Sequence, residues 1–167
     1  MEAIAERADV ALTSLYGNFG AGKTEVYAVL ACQMARSHAQ RMTAELERSP
    51  GSGVTAGRIA LQEYVAFHAD EPTAFRLLGL TDVAAETVPV VHQARQEVAS
   101  ILRSVIDQVV TAIGGDDHEV RSVVLLAWSG INGLLALNNR GMIDDATAHA
   151  LLERAIGLYL REFEDLR

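Results

Sequence analysis

The chain has little cysteine, proline, lysine or aromatic side chain. Its 167 residues include one cysteine, three prolines and 5% aromatic residues, and Lys23 is the only lysine. A single cysteine excludes an internal disulfide, and few prolines leave long stretches without a helix breaker. Half of the residues are hydrophobic, mainly Ala, Leu and Val. This composition favours a helical protein with one sizeable core.

Positive charge is also scarce. The chain has 14 basic and 22 acidic residues and a formal net charge of -8. This balance argues against capture of nucleic acid by the whole surface, so any DNA contact must be short and local or depend on residues outside the printed chain. We find no leader segment and no apolar run of membrane-spanning length. We therefore expect a cytoplasmic protein without a membrane contact.

The most specific local motif is the octet Gly17–Thr24, which satisfies every fixed position of a phosphate-binding P-loop. In that interpretation Lys23 neutralises nucleotide phosphates and Thr24 holds magnesium. The motif needs a buried strand before it and a helix after it. No segment alternates at period two for long enough to be a strand, so the octet lacks this scaffold.

Helical spacing of apolar residues covers most of the chain. It predicts short helices over 2–8 and 12–18, long helices over 23–48, 54–70 and 88–113, and a shorter one from Pro72 to Gly79. Two more follow, capped by Asp116 or Asp117 and by Asp144 or Asp145. A loop is predicted from Ser49 to Gly53. The fold class is therefore all-α.

The first two short helices, joined by a tight turn, have the outline of a helix-turn-helix. The run Ile4–Val26 resembles the DNA-binding segment of tetracycline-repressor-like (TetR) regulators, in which I-A-x-x-A-G-V-S-x-G-T-L-Y-x-H-F precedes a Gly-containing turn and K-E-E-L. The resemblance implies a DNA-binding head over residues 1–23 and a helical ligand-binding and dimerisation domain over residues 24–167. It implies a transcriptional regulator, in most cases a repressor that a small-molecule effector releases from operator DNA.

The resemblance also implies roles for individual residues. Lys23 starts the connecting helix, where the family lysine meets a DNA phosphate. The other positions that match DNA-contacting positions are Ala11, Leu12, Thr13, Ser14, Tyr16 and Asn18. The small core of the head is expected to contain Ile4, Ala5, Ala8, Val10, Leu15 and Phe19.

Several positions depart from the family pattern. Asp9 replaces the usual turn glycine, which Asp tolerates at positive φ. Ala11 replaces the usual capping serine, and that loss costs about 1 kcal/mol. The family's first helix has no counterpart in the printed chain. We therefore expect either a truncated start or an incomplete head.

The second domain is expected to bind an effector and to form a homodimer through its last two helices. The run Trp128–Leu135 and the following Asn139–Gly141 look like the family's eighth helix, in which Gly130 and Gly133 would permit close helix approach. Candidate effector contacts combine apolar bulk with a few polar tips. They are Tyr64, Phe67, His68, Phe75, His92, Trp128 and Asn132.

The spacing of the histidine and cysteine residues gives little support for a metal site or a catalytic site. The five histidines show no paired metal-ligand pattern, and His38 and His68 lie on apolar faces, as core or pocket histidines do. Cys32 is interpreted as a buried packing residue. We expect no cofactor, metal or catalytic residue. Two alternatives stay open: a P-loop nucleotide hydrolase, and a helical ligand-binding or dimerisation module that no longer binds DNA.

Overall fold

The computed structural model of the chain describes residues 1–48, 53–79 and 89–166. These residues contain helices and no strand, which confirms the all-α prediction. In chain order the helices are α1 (Glu2–Ala8), α2 (Leu12–Asn18), α3 (Lys23–Arg48), α4 (Val54–Asp70), α5 (Ala74–Gly79), α6 (Pro89–Ile113), α7 (Asp117–Asn139) and α8 (Asp145–Asp165).

The ends of the long helices follow local capping chemistry. The Asp116 carboxylate accepts hydrogen bonds from the backbone N–H groups of His118 and Glu119, at 2.9 and 3.0 Å. Asp144 accepts one from Thr147 N at 2.7 Å. Such caps satisfy backbone donors that have no partner inside the helix. The predicted aspartate caps of α7 and α8 are thus confirmed.

Two predicted boundaries shift or cannot be judged. α5 begins at Ala74 rather than at Pro72. Most of the predicted loop from Ser49 to Gly53, and the predicted start of α6 at Val88, lie outside the described residues.

Five helices enclose the main core, a cluster of buried apolar side chains. α3 contributes Met42, and the long apolar faces of α4, α6, α7 and α8 supply the rest. Representative members are Ala60, Tyr64, Val105, Val109, Val124, Ile131, Ile156 and Phe163. Burial of this many apolar side chains is the main stabilising contribution to the fold.

A second cluster lies where α3 packs on α6, nearer the start of the chain. We call it the alanine seam, since it consists of Ala28, Ala31, Cys32, Ala35, Ala94 and Val98. The small side chains let the two helices approach closely. Cys32 is buried there as predicted, and burial together with the nearby Glu97 raises its pKa.

The head consists of α1, α2 and the turns around them. Asp9 adopts the left-handed conformation, with φ 53°, at the end of α1. This is the positive φ that aspartate was expected to tolerate in place of glycine. Ala11 precedes α2 without any side-chain cap.

The expected small core of the head is only partly formed. Ala5 is the one buried side chain in α1 and α2. Ile4, Leu15 and Phe19 are half-buried, whereas Ala8 and Val10 are exposed. α1 packs mainly on α2 among the described helices, so the pair covers only part of its own apolar surface.

Candidate functional site

The residues predicted to contact DNA are grouped on α2 and its flanks. Leu12 is half-buried with Leu15 and Phe19, because residues spaced by three and four share one face of a helix. The opposite side of α2 is exposed. It carries Thr13, Ser14, Tyr16 and Asn18, and Ala11 is exposed just before it. The Asn18 amide donates a 2.9 Å hydrogen bond to Ser14 O, so that side chain is partly engaged on its own helix.

The octet Gly17–Thr24 spans the end of α2, a turn and the start of α3. Gly22 has φ 65°, and the Glu25 carboxylate accepts a hydrogen bond from Ala21 N at 3.0 Å. Helices therefore flank the octet on both sides, and no strand precedes it in the described residues. The buried strand that a P-loop requires is missing. Lys23 is exposed in the first turn of α3.

An apolar cavity lies in the main core, enclosed by α3, α4, α6, α7 and α8. Its volume is about 60 Å³. Compared with the cavity volume that one water molecule needs, this volume has room for about four or five water-sized atoms. The side chains that shape it include His38, Met42, Tyr64, Leu102, Trp128 and Phe163. None of the lining residues is an aspartate, glutamate, lysine or arginine.

A hydrogen-bonded bridge joins α4 to α7 at the cavity wall. The Trp128 indole N–H donates to the Tyr64 hydroxyl at 3.0 Å, and that hydroxyl donates to Asn132 Oδ1 at 2.7 Å. Burial raises the pKa of Tyr64 to about 12, against the smaller opposing effect of its two hydrogen bonds. The phenol is therefore neutral, and its single proton is committed to Asn132.

Next to the cavity, α3, α4 and α5 contribute an aromatic cluster. It consists of His38, Tyr64, Phe67, His68 and Phe75, with ring centroids 4.7–6.3 Å apart. These distances are typical of edge-on and tilted ring packing. The cluster continues the cavity wall, since His38 and Tyr64 belong to both.

Two imidazole nitrogens in this cluster have no hydrogen-bond partner among the residues that the structure describes. They are His38 Nδ1 and His68 Nε2, on side chains that are 1% and 8% exposed. The pKa of each histidine is lowered to about 4, mainly by burial, and for His38 the nearby His68 and Arg41 contribute to this lowering. Both rings are therefore neutral near pH 7. Unpaired buried polar atoms are uncommon in folded proteins and call for an explanation.

Arg41 lies beside the aromatic cluster and is paired with two carboxylates. Its Nε lies 2.6 Å from the Glu63 carboxylate and its Nη1 lies 3.0 Å from Asp70. Its guanidinium carbon is 5.4 Å from the centre of the Phe67 ring. Two carboxylates thus offset the charge of this guanidinium.

The structure brings most of the predicted effector contacts together. Tyr64 and Trp128 line the cavity, and Asn132 is bonded to Tyr64. Phe67, His68 and Phe75 lie in the adjoining cluster. His92 does not join them: it is exposed on α6, 2.9 Å from Gln96.

Most residues that line the cavity were not in the candidate set, among them His38, Met42 and Phe163. His38 was recognised as a histidine on an apolar face, but the missing partner of its Nδ1 leaves no trace in the spacing. Met42 and Phe163 lie on regular apolar stripes and look like ordinary core residues. Only the packing of α8 on α4, where Phe163 faces Gly57, places that ring at the cavity.

The outer side of the α7–α8 pair is apolar and uncovered. Leu126 is 64% exposed and Leu158 is 48% exposed, and Leu125 and Leu151 are exposed as well. Gly133 has no neighbour within 4 Å of an added Cβ. Gly130 differs, because the Tyr159 hydroxyl of the same chain lies 2.2 Å from its ideal Cβ position. Of the two glycines expected at a dimer contact, only Gly133 is thus open.

One described helix, α7, is long and apolar enough to span a membrane by length and composition alone. The prediction that no segment has this property is thus wrong. Residues 122–139 contain no charged residue, but Ser129, Asn132 and other polar or small residues interrupt the apolar run. Because core helices of soluble proteins pass the same test, one such helix is weak evidence for a membrane.

The described residues form a short helix pair at one end of the chain and a larger helical bundle that contains an apolar cavity. Residues 58–159 match the family described as "Tetracyclin repressor-like, C-terminal domain". This match covers more than half of the 167 residues, and the chain belongs to that family. It is thus a TetR-type transcriptional regulator, and the family points to a regulator rather than an enzyme. No curated protein and no solved structure matches the chain at the significance applied.

Proposed function

We propose that the chain is a DNA-binding repressor, active as a homodimer, which a small-molecule effector releases from its operator. The observation that carries the proposal is the exposed polar side of α2 beside Lys23, attached to a bundle of the tetracyclin repressor-like family. A short helix of this kind fits the major groove, and a lysine at a helix N-terminus suits a backbone phosphate. The domain division at residues 23 and 24 follows from this assignment.

α3 supports a route from the effector to the DNA. It is one unbroken helix that begins at Lys23 and reaches the cavity at His38 and Met42. The 15 residues from Lys23 to His38 span about 22 Å along the helix axis. A ligand that displaces His38 or Met42 would move the start of α3 as a rigid rod. In a dimer such a movement changes the spacing of the two heads relative to successive major grooves.

The homodimer is proposed to form through α7 and α8. Their outer side exposes large apolar side chains, among them Leu126 and Leu158, which a partner copy would cover. A two-fold contact of this kind presents the same patch from both subunits. It would also place two heads on one DNA duplex, as a palindromic operator requires.

Mobility-shift titration tests the DNA-binding part of the proposal. The protein, with any residues that its reading frame encodes before Met1, is titrated into the DNA upstream of its own gene. Lys23→Ala is expected to weaken binding to every duplex and to reduce the salt dependence by roughly one counterion. Arg103→Ala, which removes an exposed cation on α6, is the matched control.

The two variants separate a phosphate contact from general charge. Equal losses in Lys23→Ala and Arg103→Ala would contradict the proposed role of Lys23. The repressor proposal itself would be contradicted if no upstream DNA fragment gave a specific shift at low salt.

One observation favours a second candidate, a ligand-binding and dimerisation module that does not bind DNA. Ala5 is the only buried side chain in α1 and α2, so the head has little core to hold α2 in position. A protein that dimerises and binds ligand but shifts no DNA would support this candidate. The nucleotide-hydrolase alternative loses its basis, since the octet has no strand before it in the described residues.

A further inference from the structure

One side chain that lines the apolar cavity has an unused hydrogen-bonding atom. His38 is 1% exposed, lines the cavity, and its Nδ1 has no hydrogen-bond partner among the described residues. The polar groups of Trp128 and Tyr64 at this wall are already engaged, because the Trp128 N–H donates to the Tyr64 hydroxyl and that hydroxyl donates to Asn132 Oδ1. His38 is therefore the group left to bond with a ligand.

The charges around the site argue against an ionic ligand. No lining residue carries a formal charge at neutral pH, since burial keeps the pKa of His38 low, at about 4. The Arg41 guanidinium, which lies over the Phe67 ring, is already paired with Glu63 and Asp70. A carboxylate in this cavity would lose its hydration without gaining a counter-ion, which is costly.

The hydrogen-bonding capacity of a neutral imidazole further limits the chemical class of the ligand. Nδ1 donates in one tautomer and accepts in the other. A hydroxyl group satisfies either tautomer, because it is both a donor and an acceptor. The cavity volume of about 60 Å³ limits the rest of the ligand to a small apolar body. Met42, an adaptable side chain in the wall, can make room for a single ring.

We propose that the cavity takes a small uncharged apolar molecule that carries one hydroxyl group, bound by a hydrogen bond to His38 Nδ1. This proposal about the ligand depends on the proposed function in one respect, because it takes this cavity to be the effector site. The ligand completes the hydrogen bonding of the core, and it contacts α3 at the point where that helix could transmit a displacement to the head.

Three probes of one ring each separate the chemical classes. Phenol has the ring and the hydroxyl, toluene replaces the hydroxyl with a methyl group, and benzoate carries a full negative charge. Binding is measured by calorimetry and by the emission of Trp128, which is the only tryptophan and lines the cavity. Phenol is expected to bind about tenfold more tightly than toluene, the worth of one hydrogen bond, and benzoate is expected not to bind.

Two variants test the role of His38. His38→Phe keeps a ring of similar size and removes Nδ1, so the preference for phenol over toluene should disappear. His68→Phe is the matched control, because His68 also has an unpaired buried nitrogen but does not line the cavity. It should keep the preference.

A second readout needs no substitution. Nitrogen-15 NMR of the wild-type imidazoles should show a shift at His38 Nδ1 with phenol and a much smaller one with toluene. Any of four results would overturn the inference. Phenol and toluene bind equally, benzoate binds more tightly than phenol, phenol does not bind, or His38→Phe keeps the preference for phenol. DNA binding is measured separately, without any probe. A protein that binds phenol but not DNA would contradict only the proposed function. A protein that binds DNA but not phenol would contradict only this inference.

Discussion

At the scale of single residues, the buried histidines make stability depend on pH. The pKa of His38 and of His68 falls from 6.5 to about 4 on folding, mainly through burial. Between these values the unfolded chain binds more protons than the native state. The free energy of unfolding is therefore unaffected by these groups above pH 6.5 and decreases as the pH falls towards 4.

The expected loss is on the order of 3 kcal/mol for each histidine. His68→Phe removes one of the two groups, so the difference in unfolding free energy between variant and wild type should grow in favour of the variant between pH 7 and pH 4.5. Denaturant titrations at several pH values measure it. Parallel stability curves for the two proteins would show that His68 is not held neutral by burial.

A second residue-scale prediction concerns Gly57, which lets Phe163 pack directly on the backbone of α4. An added Cβ would lie 2.6 Å from Phe163 Cδ2, and the ring is 2% exposed and cannot swing into solvent. Gly57→Ala is therefore expected to destabilise the fold by about 1–3 kcal/mol, as overpacking does.

Gly157→Ala is the matched control, because it lies in α8 and nothing lies within 4 Å of its added Cβ. There the helix propensity of alanine should stabilise the protein by up to about 1 kcal/mol. Denaturant unfolding of both variants checks the pair. Similar effects with the same sign would contradict the close contact between α4 and α8.

At the scale of helices, the Tyr64 hydroxyl links α4 to α7. Tyr64→Phe removes both of its hydrogen bonds and leaves the Trp128 N–H and the Asn132 amide without this partner. The expected loss is about 1–3 kcal/mol of unfolding free energy. Tyr16→Phe, at a side chain 53% exposed on α2, should change stability by less than about 0.5 kcal/mol. Equal losses would mean that the bridge does not stabilise the bundle.

The helices themselves could be predicted because their signals are local. Apolar spacing and the caps at Asp116 and Asp144 depend on residues only a few positions apart. The bridge from Tyr64 to Asn132 joins residues 68 positions apart, and the cavity needs five helices in their packed arrangement. The unpaired nitrogen of His38 depends on which groups surround it in space, so no sequence spacing reveals it.

In the head, the local motif predicted the helices but not which side chains are buried. The motif from Ile4 to Phe19 predicted two helices and a turn at Asp9, and the structure has them. It also predicted burial of Ala8 and Val10, which are exposed. Burial depends on which helices pack on the pair, and a local motif does not contain that information.

At the scale of the whole molecule, we expect a dimer. Leu126→Arg places a charge on the outer side of α7, where the leucine is 64% exposed, and should convert a dimer into a monomer. Leu30→Arg is the control, because Leu30 is an exposed leucine on α3, 44% exposed. Light scattering after gel filtration measures the mass. A monomeric wild type, or dissociation by Leu30→Arg alone, would contradict the α7–α8 contact.

The central claim is that this protein recognises a DNA sequence through α2. Selection of bound duplexes from a random pool, with the protein in its full reading frame, tests it most directly. We expect enrichment of a two-fold symmetric sequence whose half-sites lie about one helical turn, roughly 10 base pairs, apart. We also expect that Ser14→Ala changes the enriched bases, whereas Lys23→Ala lowers the affinity for all of them. A pool that stays random after repeated selection would contradict the claim.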